Sequence, residues 1–95
     1  MILSVQIRAA RTLLGWTAQN LASASNVGVA TIRRLEVQDG VPDCQPRTLQ
    51  DLRRAFEENG IEFIGTPQNG AGVRFKPTEK ESQAWSEAKA TLIKV

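Results

Sequence analysis

Apolar residues in the first sixty positions recur every three or four residues, as the buried face of an α-helix requires. This spacing predicts four helices, at residues 5–14, 18–24, 30–37 and about 49–56. Local signals mark their ends, because Ser4 and Thr17 are suited to N-cap positions and Gly15 to the end of the first helix. A capping box beginning at Thr48 predicts the start of the fourth helix, and Gly60 its end.

After Gly60 the apolar period changes from helical to alternating. Residues 61–64 and 73–75 flank a polar, glycine-containing segment at 66–72, which predicts a β-hairpin with a rather long loop. Residues 77–95 begin with a second capping box at Thr78 and carry apolar residues at helical spacing, which predicts a fifth helix. Two interpretations of this tail remain open: it packs on its own domain, or it forms a dimer interface.

The length of 95 residues and the apolar content of 41% predict one small domain. We divide it into a helical part at 1–60, a hairpin at 61–76 that packs on the same domain, and a tail at 77–95. Neither a membrane-spanning run nor the pattern of a signal peptide is recognisable in the sequence. A single cysteine, Cys44, fits a reducing compartment, so we expect a cytoplasmic protein that has no membrane association.

Composition also limits the chemistry. The chain has no histidine, no cysteine pair, no glycine-rich phosphate loop and no dense carboxylate cluster, so we expect neither an enzyme nor a metal or cofactor site. The net charge is only +2, but residues 1–56 hold seven basic side chains against four acidic ones. A polyanion is therefore expected to prefer the N-terminal half.

The segment 18–35 has the pattern of two short helices joined by a tight turn. Small Ala22 lets the helices cross closely, Val27 fills the space beneath the turn, and Ile32 anchors the second helix. With these residues the chain resembles the helix-turn-helix of the XRE family, the Cro-like and phage-repressor-like transcriptional regulators of bacteria and phages. The motifs that carry the resemblance are Ile7-Arg8-Ala9-Ala10-Arg11, Leu14-Gly15-Trp16-Thr17, Leu21-Ala22, Asn26-Val27, Thr31-Ile32, Leu35-Glu36 and Arg47-Thr48-Leu49.

These motifs span about half the chain. The chain is also similar, as far as about Lys76, to a short subgroup whose fourth helix runs into a hairpin, through Ile61-Glu62-Phe63-Ile64 and Gly72-Val73-Arg74-Phe75. The resemblance implies a mainly α, four- to five-helix lambda-repressor-like helix-turn-helix domain with a C-terminal β-hairpin. Two positions depart from the family pattern. Asn26 stands where glycine is usual, and Ala18 stands where a phosphate-contacting glutamine is common, with Gln19 one residue later.

The resemblance also implies how the protein would contact DNA. The helix at 28–36 would enter the major groove, where arginine can bond guanine and apolar side chains can contact a thymine methyl group. The residues implied for base reading are Gly28, Val29, Ala30, Arg33 and Arg34. Those implied for phosphate contact, at or near helix N-termini, are Thr17, Ala18, Gln19 and Thr31. Arg11 and Glu36 are implied to form a structural salt bridge.

These observations predict a sequence-specific DNA-binding regulator of transcription. A homodimer is expected because two subunits reading two half-sites multiply affinity and specificity. The candidate dimer residues lie in the hairpin and in the tail: Ile61, Phe63, Val73, Phe75, Trp85 and Leu92. The alternative is a helix-turn-helix module used to bind a protein partner, as an antiactivator or antitoxin would.

Overall fold

The computed structural model describes residues 2–77, which form four helices followed by a two-stranded antiparallel hairpin. The prediction of a mainly helical chain with a C-terminal hairpin is confirmed. The predicted fifth helix at 77–95 lies outside the described residues except for Pro77, which is not helical. None of the described helices is both long and apolar enough to cross a membrane. The elements are α1 Ser4–Leu14, α2 Ala18–Ser25, α3 Val29–Glu36, α4 Pro46–Glu58, β1 Ile61–Thr66 and β2 Asn69–Phe75.

The hydrophobic core draws on all four helices and the first strand. Its centre is Phe56, which is fully buried and contacts the rings of Trp16 and Phe63 at centroid distances of 6.1 and 5.9 Å. Burial of such large side chains supplies most of the driving force for folding. The buried apolar residues are Ile2, Ile7, Ala10, Leu21, Ile32, Leu35, Leu52, Ala55, Phe56 and Ile61.

For α1 and α2, the predicted end signals are confirmed at two of three positions. Gly15 ends α1 in the left-handed conformation with φ of 66°. Thr17 caps α2, where its hydroxyl accepts a hydrogen bond from the Asn20 amide at 3.1 Å. The prediction that Ser4 caps α1 is wrong, because Leu3 occupies the N-cap position and its amide donates to Gln6 Oε1 at 2.7 Å.

The fourth helix starts earlier than the sequence predicts. It begins at Pro46 rather than after Thr48, with Gln45 at the N-cap position. Proline is suited to the first helical position, since its fixed φ is already helical and the hydrogen it lacks would have no partner there. The proline signal therefore determines this helix start, and the capping-box pattern at Thr48 lies inside the helix.

The hairpin is tighter than predicted. Its strands extend to Thr66 and from Asn69, so only Pro67 and Gln68 lie between them, and the expected loop at 66–72 is wrong. The register shifts beside Gly65, which has φ of 73°. A Cβ atom at Gly65 would lie 2.2 Å from the Gly70 carbonyl oxygen, so the two backbones approach closely only because this residue is glycine.

A buried glutamine joins the hairpin to α1. Gln6 is 4% exposed, and its Nε2 donates to the Gly72 carbonyl of β2 at 2.9 Å while its Oε1 accepts from Leu3. An isolated two-stranded hairpin is marginal in water, so it needs such contacts with the helical part. Gln6 therefore connects the start of the chain with β2 through hydrogen bonds at both ends of its amide.

We predict that Gln6→Leu lowers the free energy of unfolding by about 1 to 3 kcal/mol, because it leaves half-buried backbone groups of Leu3 and Gly72 unpaired. Urea denaturation followed by circular dichroism measures the change. The control is Gln19→Leu, since Gln19 is exposed on α2 and is expected to change stability by less than about 0.5 kcal/mol. Equal effects of the two substitutions would show that the Gln6 hydrogen bonds contribute nothing.

Candidate nucleic-acid interface

The third helix has one face in the core and the opposite face in solvent. Ile32, Leu35 and Glu36 are buried, as their three- and four-residue spacing requires. The exposed face carries Ala30 and Val37 along its middle, with Arg33 and Arg34 on either side. This face, which we call the α3 outer face, presents two cations beside small apolar side chains.

The turn between α2 and α3 fixes the relative position of the two helices. Asn26 adopts a left-handed conformation with φ of 62°, and its amide donates to the Ala22 carbonyl at 2.9 Å. The buried Ser25 hydroxyl donates to the Leu21 carbonyl at 2.7 Å and accepts from the Val27 amide at 3.3 Å. Every hydrogen bond in this turn is therefore local, and half-buried Val27 packs against the core beneath it.

An ion pair joins α1 to the end of α3. Arg11 donates two hydrogen bonds to Glu36, from Nε to Oε1 at 2.8 Å and from Nη2 to Oε2 at 3.2 Å. A third donor of the same guanidinium, Nη1, bonds the Trp16 carbonyl at 3.0 Å. The Glu36 side chain is 8% exposed and that of Arg11 is 27% exposed. The bidentate geometry holds α3 in one orientation against α1.

The two arginines of the α3 outer face differ in their surroundings. Arg34 donates from Nη1 to the Asp43 carbonyl at 3.2 Å, which draws it toward the loop before α4. Within residues 2–77, Arg33 makes no hydrogen bond or ion pair, so its guanidinium is available to an external partner.

In the loop before α4, burial raises the pKa of the Cys44 thiol despite the opposing charge of Arg34. A thiol with a raised pKa is a poor nucleophile.

The remaining residues implied for base reading lie at the start of α3. Gly28 is its N-cap with ordinary φ of −62°, Val29 is half-buried, and Ala30 is exposed. Thr31 is half-buried. Its position on the helix directs its side chain away from the middle of the α3 outer face. The structure thus brings Ala30, Arg33 and Arg34 to one surface, with Val29 and Thr31 at its borders.

The residues implied for phosphate contact lie at the start of α2. Thr17 and Gln19 are exposed, and Ala18 is half-buried. The Thr17 hydroxyl accepts from Asn20, which leaves its own hydrogen free to donate. Among the described residues, the amides of Ala18 and Gln19 have no backbone acceptor, as is usual for the first turn of a helix. These donors suit an anion.

Of the dimer candidates, Ile61 is unsuitable because it is 1% exposed and packs inside the core of its own chain. Phe63 and Val73 are half-buried against that core, with the Arg53 guanidinium carbon 5.9 Å from the centre of the Phe63 ring. Phe75 is 53% exposed and is the hairpin candidate most accessible to a second subunit. Trp85 and Leu92 lie outside the described residues.

The sequence reasoning did not single out Val37 or Asp43. Val37 is 78% exposed on the α3 outer face, and its four-residue spacing from Arg33 was a signal that it shares that face. The Asp43 contact with Arg34 involves a backbone carbonyl in an irregular loop, which no side-chain pattern indicates.

No family model, curated protein or solved structure matches the chain.

We predict that Asn26→Ala lowers the free energy of unfolding by about 1 to 2 kcal/mol, because a Cβ-bearing residue without a short polar side chain is strained at positive φ. The matched variant Asn26→Gly should stay within about 0.5 kcal/mol of the wild type, since glycine adopts this conformation freely. Thermal and urea unfolding of the three proteins provide the measurement. Equal stability of the alanine and glycine variants would contradict a left-handed residue at this turn.

We predict that Glu36→Gln destabilises the protein by about 1 to 3 kcal/mol, because it leaves the Arg11 charge without its carboxylate partner. The cost stays below that of a fully buried pair, since Arg11 is partly exposed. Glu57→Gln is the control, because Glu57 pairs with Arg53 on the surface and its loss should cost less than about 1 kcal/mol. A Glu36→Gln variant as stable as the control would show that the pair does not hold α3 in place.

Proposed function

We propose that the protein is a sequence-specific DNA-binding regulator of transcription, in which α2 and α3 form a lambda-repressor-like helix-turn-helix. The observation that carries the proposal is the two-faced third helix. Its inner face is fixed by Ile32, Leu35 and the Glu36 ion pair, while its outer face presents arginines beside small side chains. A helix held in this way can enter the major groove without changing its own packing.

The outer face suits base reading in the major groove. Arg33 is the main base reader in this proposal, because a guanidinium can bond both O6 and N7 of guanine. Arg34 reads a neighbouring base or phosphate after releasing the Asp43 carbonyl. Ala30 and Val37 are small or apolar and lie between the arginines, where they can contact thymine methyl groups.

The first turn of α2 supplies the phosphate contacts. The amides of Ala18 and Gln19 and the Thr17 hydroxyl can donate to one phosphate group, aided by the positive end of the helix dipole. Thr31 can donate to a second phosphate at the border of the outer face. Such contacts set the register of a protein on DNA but carry no sequence information.

The functional unit is a homodimer in this proposal. One eight-residue helix can reach only a few base pairs, and two subunits would read half-sites about 34 Å apart. The hairpin is the preferred interface, since its two strands pair only with each other in the described part of the chain and Phe75 is exposed at one end. An unpaired strand edge is a natural template for a second copy.

A second candidate function is binding of a protein partner through the same surface. The observation that favours it is the exposure of Val37 and Val41, at 78% and 42%, at the end of α3 and in the following loop. Both side chains could add apolar area to a contact with a protein partner. In this alternative Ala30 and Val37 contact the partner, and the arginines surround the contact.

We predict that Arg33→Ala with Arg34→Ala abolishes specific DNA binding without changing the fold. Each lost guanine contact should cost about 1 to 3 kcal/mol of discrimination. The measurement is fluorescence anisotropy of labelled duplex DNA from the region upstream of the protein's own gene, compared with a scrambled duplex. Titrations at about 50 and 200 mM salt should show binding that weakens steeply, because phosphate contacts release counterions.

The matched control is Arg53→Ala with Arg54→Ala, which removes the same charge from α4, where both side chains pair with acidic neighbours. It should retain preference for the upstream duplex. Equal loss of affinity in the two double variants would show that net charge, rather than base reading, determines binding. Failure of the wild-type protein to bind either duplex at low salt would favour the protein-binding alternative.

A further inference from the structure

The loop between α3 and α4, residues 37–45, is held against the helices at three points. The Gly40 carbonyl accepts a hydrogen bond from the Ser4 amide of α1 at 2.9 Å. Pro42 is buried. The third point is Asp43, whose backbone amide and backbone carbonyl are both bonded to side chains at the end of α3. The Asp43 backbone is therefore a well-anchored part of the surface beside α3.

Two side chains bind the backbone of Asp43 from the same side. The Asp43 amide donates to Gln38 Oε1 at 2.6 Å, and the Asp43 carbonyl accepts from Arg34 Nη1 at 3.2 Å. Residues 34 and 38 are four positions apart, and both side chains reach the same loop residue. We call Arg34, Gln38 and Asp43 the Asp43 clasp. Both of its hydrogen bonds are exposed to solvent, so each contributes only modestly to stability.

The clasp occupies an arginine of the α3 outer face. The Arg34 side chain is exposed, and its bond to Asp43 turns the guanidinium toward the loop. A guanidinium that reads a base points away from the protein and into the groove. The Asp43 carbonyl and a DNA acceptor are thus alternative partners for Arg34.

We propose that the Asp43 carbonyl competes with DNA for Arg34, and that Gln38 is the positioning residue that sets the strength of this competition. Gln38 does not need to touch DNA. It holds the Asp43 backbone where Arg34 can bond it, so the loss of Gln38 should weaken the internal bond and release Arg34. The inference rests on the proposed DNA binding and adds a residue that controls one of its base readers.

The direction of the effect follows from competition. When only one conformation of a group can bind a ligand, the apparent affinity falls with the fraction of molecules in the other conformation. The net contribution of one hydrogen bond corresponds to a factor of about two to ten in an equilibrium constant. A weaker clasp should therefore raise DNA affinity by up to this factor, and only while Arg34 is present.

The first test measures the affinity of the full chain for the upstream duplex by fluorescence anisotropy at about 50 mM salt. Gln38→Ala should bind about two- to tenfold more tightly than the wild type. In an Arg34→Ala background, which keeps Arg33, the same substitution should have no effect, because the two residues act through one contact. Gln50→Ala is the matched control, since Gln50 is an exposed glutamine of α4, and it should change affinity in neither background.

The second test detects the clasp by NMR without DNA. The amide nitrogen of Cys44 belongs to the same planar peptide group as the Asp43 carbonyl, so its resonance responds to hydrogen bonding at that oxygen. Gln38→Ala and Arg34→Ala should shift this resonance in the same direction, and Gln50→Ala should leave it unchanged. Addition of the upstream duplex to the wild type should move it toward its position in Arg34→Ala, because DNA takes Arg34 from the carbonyl.

The outcomes separate this inference from the proposed function. Specific binding by the wild type with no gain in Gln38→Ala, or with a gain that persists without Arg34, would overturn the inference alone. Tighter binding by the wild type than by Gln38→Ala would also overturn it, because the clasp would then prepare Arg34 for DNA. A wild-type protein that binds neither the upstream nor the scrambled duplex would overturn the proposed function and this inference together.

Discussion

The Arg11–Glu36 ion pair is the interaction on which the arrangement of the helices depends most directly. One guanidinium bonds both oxygens of a buried carboxylate and the carbonyl of Trp16, so it connects α1, the following loop and the end of α3. The desolvation of Glu36 is offset only while Arg11 stays in place. The pair therefore opposes rotation of α3 about its own axis, and such rotation would move the outer face.

Local turn chemistry complements this long-range contact. The α2 helix has only eight residues, which is too short to be stable alone in water. At its start Thr17 and Asn20 exchange hydrogen bonds between their side chains and amides, and Asn26 closes its end with a left-handed residue. Because these signals lie close together in the chain, α2 starts and stops within narrow limits. The crossing with α3 is then set by packing around Leu21 and Val27.

The sequence was sufficient to predict the helices, the Thr17 cap, the Asn26 turn and the existence of the hairpin, because each depends on residues within a few positions of one another. Prediction from the sequence failed where the conformation depends on residues that are far apart in the chain. Ser4 does not cap α1, since the Gln6 side chain occupies the Leu3 amide and also bonds β2. Ile61 was assigned to a dimer interface because alternation identifies an apolar strand face but does not tell whether its own core covers it.

The candidate interface was likewise predictable in part. The family resemblance implied Ala30, Arg33 and Arg34 as base readers, and all three are exposed on α3. It could not distinguish the two arginines, because the difference is a single hydrogen bond from Arg34 to a loop carbonyl. That difference has a functional consequence. Arg33 can meet a ligand without losing any contact within the described structure, whereas Arg34 must exchange one bond for another. Of the two, Arg33 is therefore better suited to discriminate between ligands.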